Sequence, residues 1–328
     1  MKRQRYWFAP GPVPMAETIR IEYSHRSSDF VQLYLSTVAM LEDWTKRKVV
    51  LIQGSASAAI ESVLEGMGLA HKRVLVVNNG SFAQRVVDRL NRIGFSVDET
   101  ETVAVAFNLL LDTTAYQAVY VVQFETSNST LNQTDELGAL CRTQNIPLIV
   151  DAVSAFPYYN FPGTADVTIL SSSKQLRGLP VLGIVAYREE LEEGFEKTNS
   201  YLDLSKAIEY GKKGQTPHTS LIPQVHSLWK SLIEKSWEPY VSNIGMNAMT
   251  VGEQLDDVLV GEKVAPVLTI QTKDANEVVR RLSRLGLDVY YNPAYSGNRI
   301  QVSCFNYGTL PYDELNEALL GLGEDGLL

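Results

Sequence analysis

The sequence IPLIVDAVSAFPYYNFPGTADVTILSSSK, residues 146–174, decides the fold class. It contains two apolar segments, 146–156 and 165–174, and small or polar residues stand at the end of each. Apolar residues run almost continuously through 146–150 and predominate in 167–170, which is typical of parallel strands that are covered on both faces. We therefore predict that both segments are buried strands of a central sheet.

Strand-like and helix-like segments alternate around this stretch. The predicted strands are 46–54, 72–80, 117–127, 146–156, 165–174 and 181–189, and the predicted helices are 55–70, 81–94 and 134–145. Strands that alternate with helices of ten or more residues indicate parallel pairing. We therefore predict an α/β fold whose large domain has a mostly parallel, doubly wound sheet.

The pattern changes after about residue 230. Segment 276–293 has the spacing of a helix followed by a strand, 298–307 is strand-like, and 310–323 is helical. These segments indicate a smaller α+β C-terminal domain. The predicted division is an N-terminal arm over 1–20, a large domain over 21–230 and a small domain over 231–328.

Composition excludes several classes of function. The chain has 328 residues and a net charge of −9, which argues against a nucleic-acid or anionic-membrane partner. Its two cysteines and four histidines lack the spacing of a metal site. No apolar run approaches the roughly 20 residues of a membrane span, and the first residues lack the apolar segment of a signal peptide. We expect a soluble cytoplasmic protein without a metal.

Candidate ligand-binding residues follow the predicted strands at their carboxyl ends, where open α/β sheets bind ligands. Gly54-Ser55-Ala56-Ser57 leads into a helix, and small residues at a helix N-terminus suit a phosphate group. An ordinary capped helix start explains the same pattern. Phe82 follows the next strand, where it could stack on an aromatic ring or lie in the core.

Asp151 and Lys174 end the two strands of the opening stretch. Asp151 could be a turn residue, or it could pair with a cationic ring nitrogen such as that of pyridoxal phosphate. Lys174 would be costly to bury as an unpaired charge, but a partly desolvated lysine loses its proton more easily and can form a Schiff base with an aldehyde cofactor. Phosphate cradle, stacking aromatic, carboxylate and lysine in this order point to pyridoxal 5′-phosphate.

The chain resembles the class V pyridoxal-phosphate aminotransferases, the group of the alanine/serine–glyoxylate, 2-aminoethylphosphonate–pyruvate and phosphoserine aminotransferases. The combination of DAVS, SSSK and QTPHT is its specific part. The resemblance implies the fold type I architecture of pyridoxal-phosphate enzymes. It rests on APGPVP (9–14), SHRSSDF (24–30), LIQGSASAAIES (51–62), NNGSFAQR (78–85), FETSNSTLN (124–132), VDAVSAF (150–156), SSSKQLRGLPVLG (171–183), SYLDLSKAIEYGKKGQTPHTS (200–220) and NRIQVS (298–303).

The same resemblance implies a role for each candidate residue. Lys174 matches the lysine that carries the cofactor and moves the substrate proton, and Asp151 the acid that keeps the pyridine nitrogen protonated. Phe82 and Val153 match the residues on the two ring faces. The other implied cofactor-binding residues are Ser55, Ala56 and Ser57 around the phosphate, Thr126 near the phenolic oxygen, Ser173 beside the lysine, and Gln215 with Thr216, which reach the cofactor of the neighbouring subunit in a homodimer.

Arg299 matches the arginine that grips the substrate carboxylate, a task suited to its planar fork. His25 and Arg26 are further candidates for substrate binding. The resemblance implies transfer of an amino group between a small amino acid of the alanine or serine type and pyruvate or glyoxylate, by a ping-pong mechanism. Phosphoserine or 2-aminoethylphosphonate is the alternative substrate.

Three residues depart from the family pattern. Ser173 stands where glutamine or asparagine is usual, and Ser129 and Val181 stand where glycine is common. These departures leave a non-catalytic relative open as an interpretation. A pyridoxal-phosphate lyase or desulfurase is a further alternative, but persulfide chemistry needs a reactive cysteine, and Cys141 and Cys304 lie in segments that look structural.

Overall fold

The structure is a computed structural model that describes residues 5–9, 24–68, 72–112, 116–219, 222–234, 236–293, 297–305 and 310–328. Of the N-terminal arm predicted over 1–20, only residues 5–9 are among these. The motif at 9–14 lies outside the described residues except for Ala9.

The elements are numbered in chain order. The strands are β1 (Tyr6–Trp7), β2 (Lys48–Gln53), β3 (Arg73–Val77), β4 (Ser96–Thr100), β5 (Ala118–Val122), β6 (Phe124–Glu125), β7 (Thr130–Leu131), β8 (Leu148–Asp151), β9 (Val167–Ser171), β10 (Leu182–Tyr187), β11 (Leu259–Val260), β12 (Val267–Gln271), β13 (Leu287–Asp288) and β14 (Arg299–Ser303). The helices are α1 (Ser28–Thr45), α2 (Ala56–Gly66), α3 (Ser81–Arg92), α4 (Val103–Asp112), α5 (Asp135–Thr143), α6 (Leu204–Gly211), α7 (Ile222–Glu234), α8 (Trp237–Gly252), α9 (Ala275–Leu285) and α10 (Tyr312–Glu324).

The chain divides into two compact units. The sheet unit comprises Glu17–Gln123 and Asn132–Lys235, and the C-terminal unit comprises Met1–Ala16, Phe124–Leu131 and Ser236–Leu328. The domain boundaries predicted from the sequence stay a prediction. The division differs from them because Met1–Ala16 groups with the C-terminal unit, and so does the short hairpin β6–β7, although it lies in the middle of the sequence.

The sheet unit is built on seven strands in the order β2-β10-β9-β8-β5-β3-β4. The pairs β9–β8, β8–β5, β5–β3 and β3–β4 are parallel, whereas β10 is antiparallel to both β9 and β2. The predicted α/β fold with a mostly parallel sheet is confirmed. The exception at β10 has a simple cause, because no helix stands between β9 and β10 to carry the chain back across the sheet.

Both faces of this sheet are covered by apolar residues, as expected for buried parallel strands. On one face, side chains such as Val76 and Ile149 pack with residues of α2, α3 and α6. On the other face, alternate residues such as Val77 and Val150 pack with residues of α4 and α5. Because side chains alternate along a strand, Asp151 lies on the same face as Ile149.

The C-terminal unit contains the antiparallel sheet β11-β12-β14 together with α8, α9 and α10. Helix α9 begins at a cap in which the Asp274 carboxylate accepts from the Glu277 N–H, and it ends at Gly286 in the left-handed conformation. Within the described ranges, no helix is both long and apolar enough to span a lipid bilayer.

Candidate active site

Lys174 lies in the turn that follows β9, at the carboxyl edge of the sheet. Loss of hydration lowers the pKa of its ammonium group to about 8, and the nearby negative charge of Asp151 opposes part of this effect. The turn is held by backbone hydrogen bonds, from Arg177 N–H to the Lys174 carbonyl at 2.9 Å and from Gly178 N–H to the Ser172 carbonyl at 2.6 Å. The amine is therefore presented from an ordered turn, and it gives up its proton more readily than an ordinary lysine.

Asp151 is the last residue of β8, the strand beside β9, and it is 7% exposed. Its Oδ1 atom accepts a hydrogen bond of 2.9 Å from the Val153 N–H, and its Oδ2 atom accepts one of 3.4 Å from the Tyr120 hydroxyl. Both donors stabilise the negative charge of the carboxylate. Val153 itself is half-buried and packs on the apolar cluster of this sheet face.

The start of α2 follows β2 at the same carboxyl edge. Ser55 takes the N-cap position with extended backbone, and Ala56 and Ser57 form the first turn. Gly54, just before them, has a φ of 133°, and a Cβ atom added there would lie 2.5 Å from the Ala58 Cβ. The chain thus forms a cradle without bulky side chains, and the first N–H groups of a helix are suited to binding a phosphate.

Phe82 lies in the first turn of α3, after β3, and the residue is 38% exposed. The guanidinium of Arg85 stands 5.7 Å from the centre of this ring and donates to the Ser57 Oγ atom at 3.2 Å. Arg85 thus joins the predicted stacking ring to the predicted phosphate cradle. It lies in the motif NNGSFAQR, but nothing in the sequence alone indicates that it contacts both.

Ser173 is half-buried beside the lysine, and its hydroxyl lies 3.4 Å from that of Ser171. The backbone N–H of Ser173 also points to the Ser171 Oγ atom at 3.4 Å. A serine side chain is much shorter than the glutamine or asparagine usual at this position, so its hydroxyl stays within the turn that carries it.

The loop with Gln215 and Thr216 contacts the turn before α1. Arg26 donates to the Gln215 Oε1 atom at 2.7 Å and lies 6.0 Å from the centre of the Tyr210 ring. Thr216 is buried and its hydroxyl donates to the His218 carbonyl at 2.8 Å. The prediction that Gln215 and Thr216 reach a neighbouring subunit's cofactor stays a prediction.

Two predicted site residues belong to the C-terminal unit. Thr126 is buried at the β6–β7 turn, where its carbonyl accepts from the Thr269 hydroxyl at 3.0 Å and from the Gln301 amide. Arg299 begins β14 and its Nε atom donates to the Gln271 side chain at 3.1 Å. His25, in the sheet unit, is half-buried in the turn before α1. The substrate-binding roles of Arg299, His25 and Arg26 stay predictions.

Both positions where glycine is usual have the backbone conformation that favours glycine. Ser129 has a φ of 52° and Val181 a φ of 74°. Ser129 compensates through its side chain, which donates to the Val267 carbonyl at 2.9 Å and lies 3.0 Å from the Thr269 hydroxyl. Val181 is β-branched and 48% exposed, so burial of its side chain does little to offset its strained backbone conformation.

The two cysteines are fully buried. Burial raises the pKa of the Cys141 thiol to about 12, and it raises that of Cys304 further. The thiolate that persulfide chemistry requires is therefore disfavoured at both positions. In the part of the chain that the structure describes, no group of three or more His, Cys, Asp or Glu side chains is arranged to hold a metal ion.

The residues of the sheet unit fit pyridoxal phosphate. A helix start with small side chains suits its phosphate, a buried carboxylate suits its cationic ring nitrogen, and a desolvated amine suits its aldehyde. These groups follow β2, β8 and β9, whose carboxyl ends lie along the same edge of one sheet. The partly exposed ring of Phe82 follows β3 at this edge.

Known sequences are similar to part of this chain. No protein-family model matches it. It is 31% identical over 189 residues to the 2-aminoethylphosphonate–pyruvate transaminase of Burkholderia pseudomallei, an alignment that covers 55% of this chain and 51% of the relative. The chain thus spans about half the length of the curated relatives it matches.

Solved structures match over nearly the whole chain. The aspartate aminotransferase of Thermus thermophilus has a TM-score of 0.85 and 19% identity, with 98% of this chain and 100% of that chain covered. The alanine–glyoxylate aminotransferase of Nostoc sp. has a TM-score of 0.83 and 19% identity, with 99% and 96% covered. The resemblance found in the sequence is thereby confirmed: over about half of its length this chain is similar to the 2-aminoethylphosphonate–pyruvate transaminases, and it has the fold of these aminotransferase structures.

Proposed function

We propose that this protein is a pyridoxal-phosphate-dependent aminotransferase that transfers an amino group from a small amino acid to a small 2-oxo acid. The observation that carries the proposal is the environment of Lys174. Desolvation lowers the pKa of its amine to about 8, and the negative charge of the buried Asp151 carboxylate acts in the opposite direction. Alanine or serine as donor, pyruvate or glyoxylate as acceptor, and a ping-pong order of binding belong to the same proposal.

The chain's own residues would bind and orient the cofactor. Residues 55–57 would hold its phosphate, Asp151 its ring nitrogen, and Phe82 and Val153 the two faces of its ring. When bound, pyridoxal phosphate supplies an electron sink for the negative charge that develops on the substrate carbon. The carboxylate of Asp151, supported by its two hydrogen-bond donors, would hold the proton on the ring nitrogen.

Lys174 Nζ moves the substrate proton in this proposal. With a pKa of about 8, the group is mostly an ammonium ion at pH 7, but about a tenth of it is the free amine. It can therefore accept a proton from the substrate carbon and return one, which an ordinary lysine with a pKa of 10.5 does poorly. The charge of Asp151 keeps the amine basic enough for both directions.

A phosphonate amine is the second candidate substrate. It is favoured by one observation, that the matched curated relatives are 2-aminoethylphosphonate–pyruvate transaminases. Arg26 could provide positive charge for such a group, although its guanidinium already donates to Gln215. Phosphoserine belongs to the same alternative. Pyruvate as acceptor agrees with both candidates.

Assembly and location complete the proposal. We infer a homodimer in which Gln215 and Thr216 approach the partner's cofactor, as the resemblance to the class V aminotransferases implies. Within the subunit, Gln215 accepts a hydrogen bond from Arg26 and the Thr216 hydroxyl donates to the His218 carbonyl. A cytoplasmic location is proposed with it.

The test is a half-reaction. The purified protein is loaded with pyridoxal phosphate, freed of excess, and mixed separately with alanine, serine, phosphoserine and 2-aminoethylphosphonate while its visible absorbance is followed. We expect the visible band to disappear with the true donor and to return when pyruvate or glyoxylate is added. The kcat/KM values for the four donors then rank the two candidate substrate classes.

Variants make this test specific. Lys174→Ala should lose the visible band and the turnover, because it lacks the amine. Lys206→Met, which removes an exposed lysine of α6, should keep both. The proposal is overturned when the loaded wild-type protein shows neither a spectral change nor turnover with any of the four donors.

A further inference from the structure

Tyr120 has a polar group in an otherwise apolar part of the core. Its side chain is fully buried on β5, within the cluster that contains Val76 and Val122. A buried phenol needs a hydrogen-bond partner. Its hydroxyl donates to the Asp151 Oδ2 atom at 3.4 Å.

The strand register explains how these two side chains meet. Strand β5 pairs in parallel with β8, with Tyr120 opposite Ile149 and Val122 opposite Asp151. Residues two apart in a strand lie on the same face, so Tyr120 and Asp151 occupy one face of neighbouring strands. The contact is therefore fixed by two central strands and does not depend on a loop.

The two oxygens of the Asp151 carboxylate are held differently. Oδ1 accepts from the Val153 N–H at 2.9 Å, a local bond within the turn. The bond from Tyr120 to Oδ2, at 3.4 Å, is longer than the 2.7–2.8 Å usual for hydroxyl donors. Bonds of this kind often shorten when the ligand is bound. Lys174, in the turn after β9, is close enough to Asp151 for the two charges to interact.

We propose that Tyr120 is a positioning residue, which orients the Asp151 carboxylate through Oδ2 and thereby sets how much of its negative charge is available to the ring nitrogen of the bound cofactor. The inference rests on the proposed function, because it assigns Asp151 to that nitrogen. It assigns Tyr120 no contact with the substrate.

The experiment compares Tyr120→Phe with a matched control, Tyr187→Phe. Tyr187 is also buried in this cluster and donates to the Glu192 carboxylate at 3.3 Å. It pairs with Val167 at the start of β9, and therefore lies at the opposite edge of the sheet. Both variants lose one buried hydroxyl of similar geometry, but only one of them loses a contact with Asp151.

The readouts are the pH midpoint of the cofactor's visible band and the separate values of kcat and KM. In Tyr120→Phe we expect the pH midpoint to shift, kcat to fall by up to about tenfold, and KM to stay unchanged. A tenfold fall in kcat corresponds to the free energy of one ordinary hydrogen bond. Tyr187→Phe should match the wild type in all three. Site-specific replacement of Tyr120 by 3-fluorotyrosine, a stronger donor, should move the midpoint in the opposite direction.

The outcomes separate the two proposals. A wild-type protein that develops no visible band with pyridoxal phosphate overturns the proposed function. A wild-type protein with a normal band, and a Tyr120→Phe variant that matches it in midpoint and kcat, overturns only the role of Tyr120. If Tyr120→Phe does not fold, the fluorotyrosine protein decides, since an unmoved midpoint there refutes the inference.

Discussion

Replacing Lys174 by methionine should change the pH dependence of folding in a way that can be calculated. The folded pKa of about 8 lies below the ordinary value of 10.5. Below about pH 8 the lysine is protonated in both the folded and the unfolded chain, so the folded state bears the full cost of burying the charge. Between about 8 and 10.5 the unfolded chain binds more protons, and wild-type stability rises with pH relative to the variant.

The difference between the two pKa values corresponds to about 3 kcal/mol at about 1.4 kcal/mol per pKa unit. We expect the free energy of unfolding of Lys174→Met, minus that of the wild type, to fall by about this amount from neutral pH to above pH 10.5. Urea unfolding of the cofactor-free proteins, at one protein concentration and followed by tryptophan fluorescence, measures it.

Lys206→Met is the matched control, because the Lys206 ammonium is exposed to water on α6 and stays hydrated in the fold. Its difference from the wild type should not change with pH in this way. A Lys174→Met difference that is equally flat across the range would refute the reasoning, since it would mean that the Lys174 amine is as well hydrated in the fold as in the unfolded chain.

Three further predictions concern stability and reactivity. Val181→Gly should raise the free energy of unfolding by about 1 kcal/mol, because it relieves a left-handed conformation. Val105→Gly, at a similarly exposed position in a helix, should lower the free energy of unfolding. Urea unfolding that ranks the two variants the other way would contradict this prediction. Ser129→Ala should lower the free energy of unfolding by about 1–3 kcal/mol in the same assay, since Val267 and Thr269 lose a buried hydrogen-bond partner. An unchanged unfolding midpoint would show that these hydrogen bonds contribute nothing to stability. Cys304 should resist alkylation by iodoacetamide in the folded protein, because burial raises the pKa of its thiol, and should react only in denaturant, as mass spectrometry will show.

The central strands of the fold were predictable from the sequence because they are buried on both faces. Strands β3, β5, β8, β9 and β10 are almost wholly apolar, and their pattern needs no knowledge of the partners. Strand β4 was not predicted. It lies at the edge of the sheet and has the sequence SVDET, in which exposed polar residues replace the apolar residues that mark the central strands. Helix α1 was not predicted either, because the polar residues Thr37 and Thr45 stand at buried positions and interrupt its apolar pattern.

The candidate site was predictable in part for a related reason. Lys174 and Asp151 are expected at the carboxyl edge because parallel strands bring their ends together. The contacts of Tyr120 and Arg85 depend on strand register and on side-chain direction, which composition and periodicity do not encode. The grouping of residues 124–131 with the C-terminal unit depends on distant packing in the same way.

The antiparallel course of β10 fixes both ends of the connection 172–181. At one end the Ser172 N–H donates to the Leu182 carbonyl, and at the other the Val181 carbonyl accepts from the Gly54 N–H, both at 3.1 Å. Because β10 is held in register by both β2 and β9, a residue inserted here would be accommodated within the connection itself, which is the turn that carries Lys174. Engineering that lengthens or shortens this protein should therefore leave this connection alone.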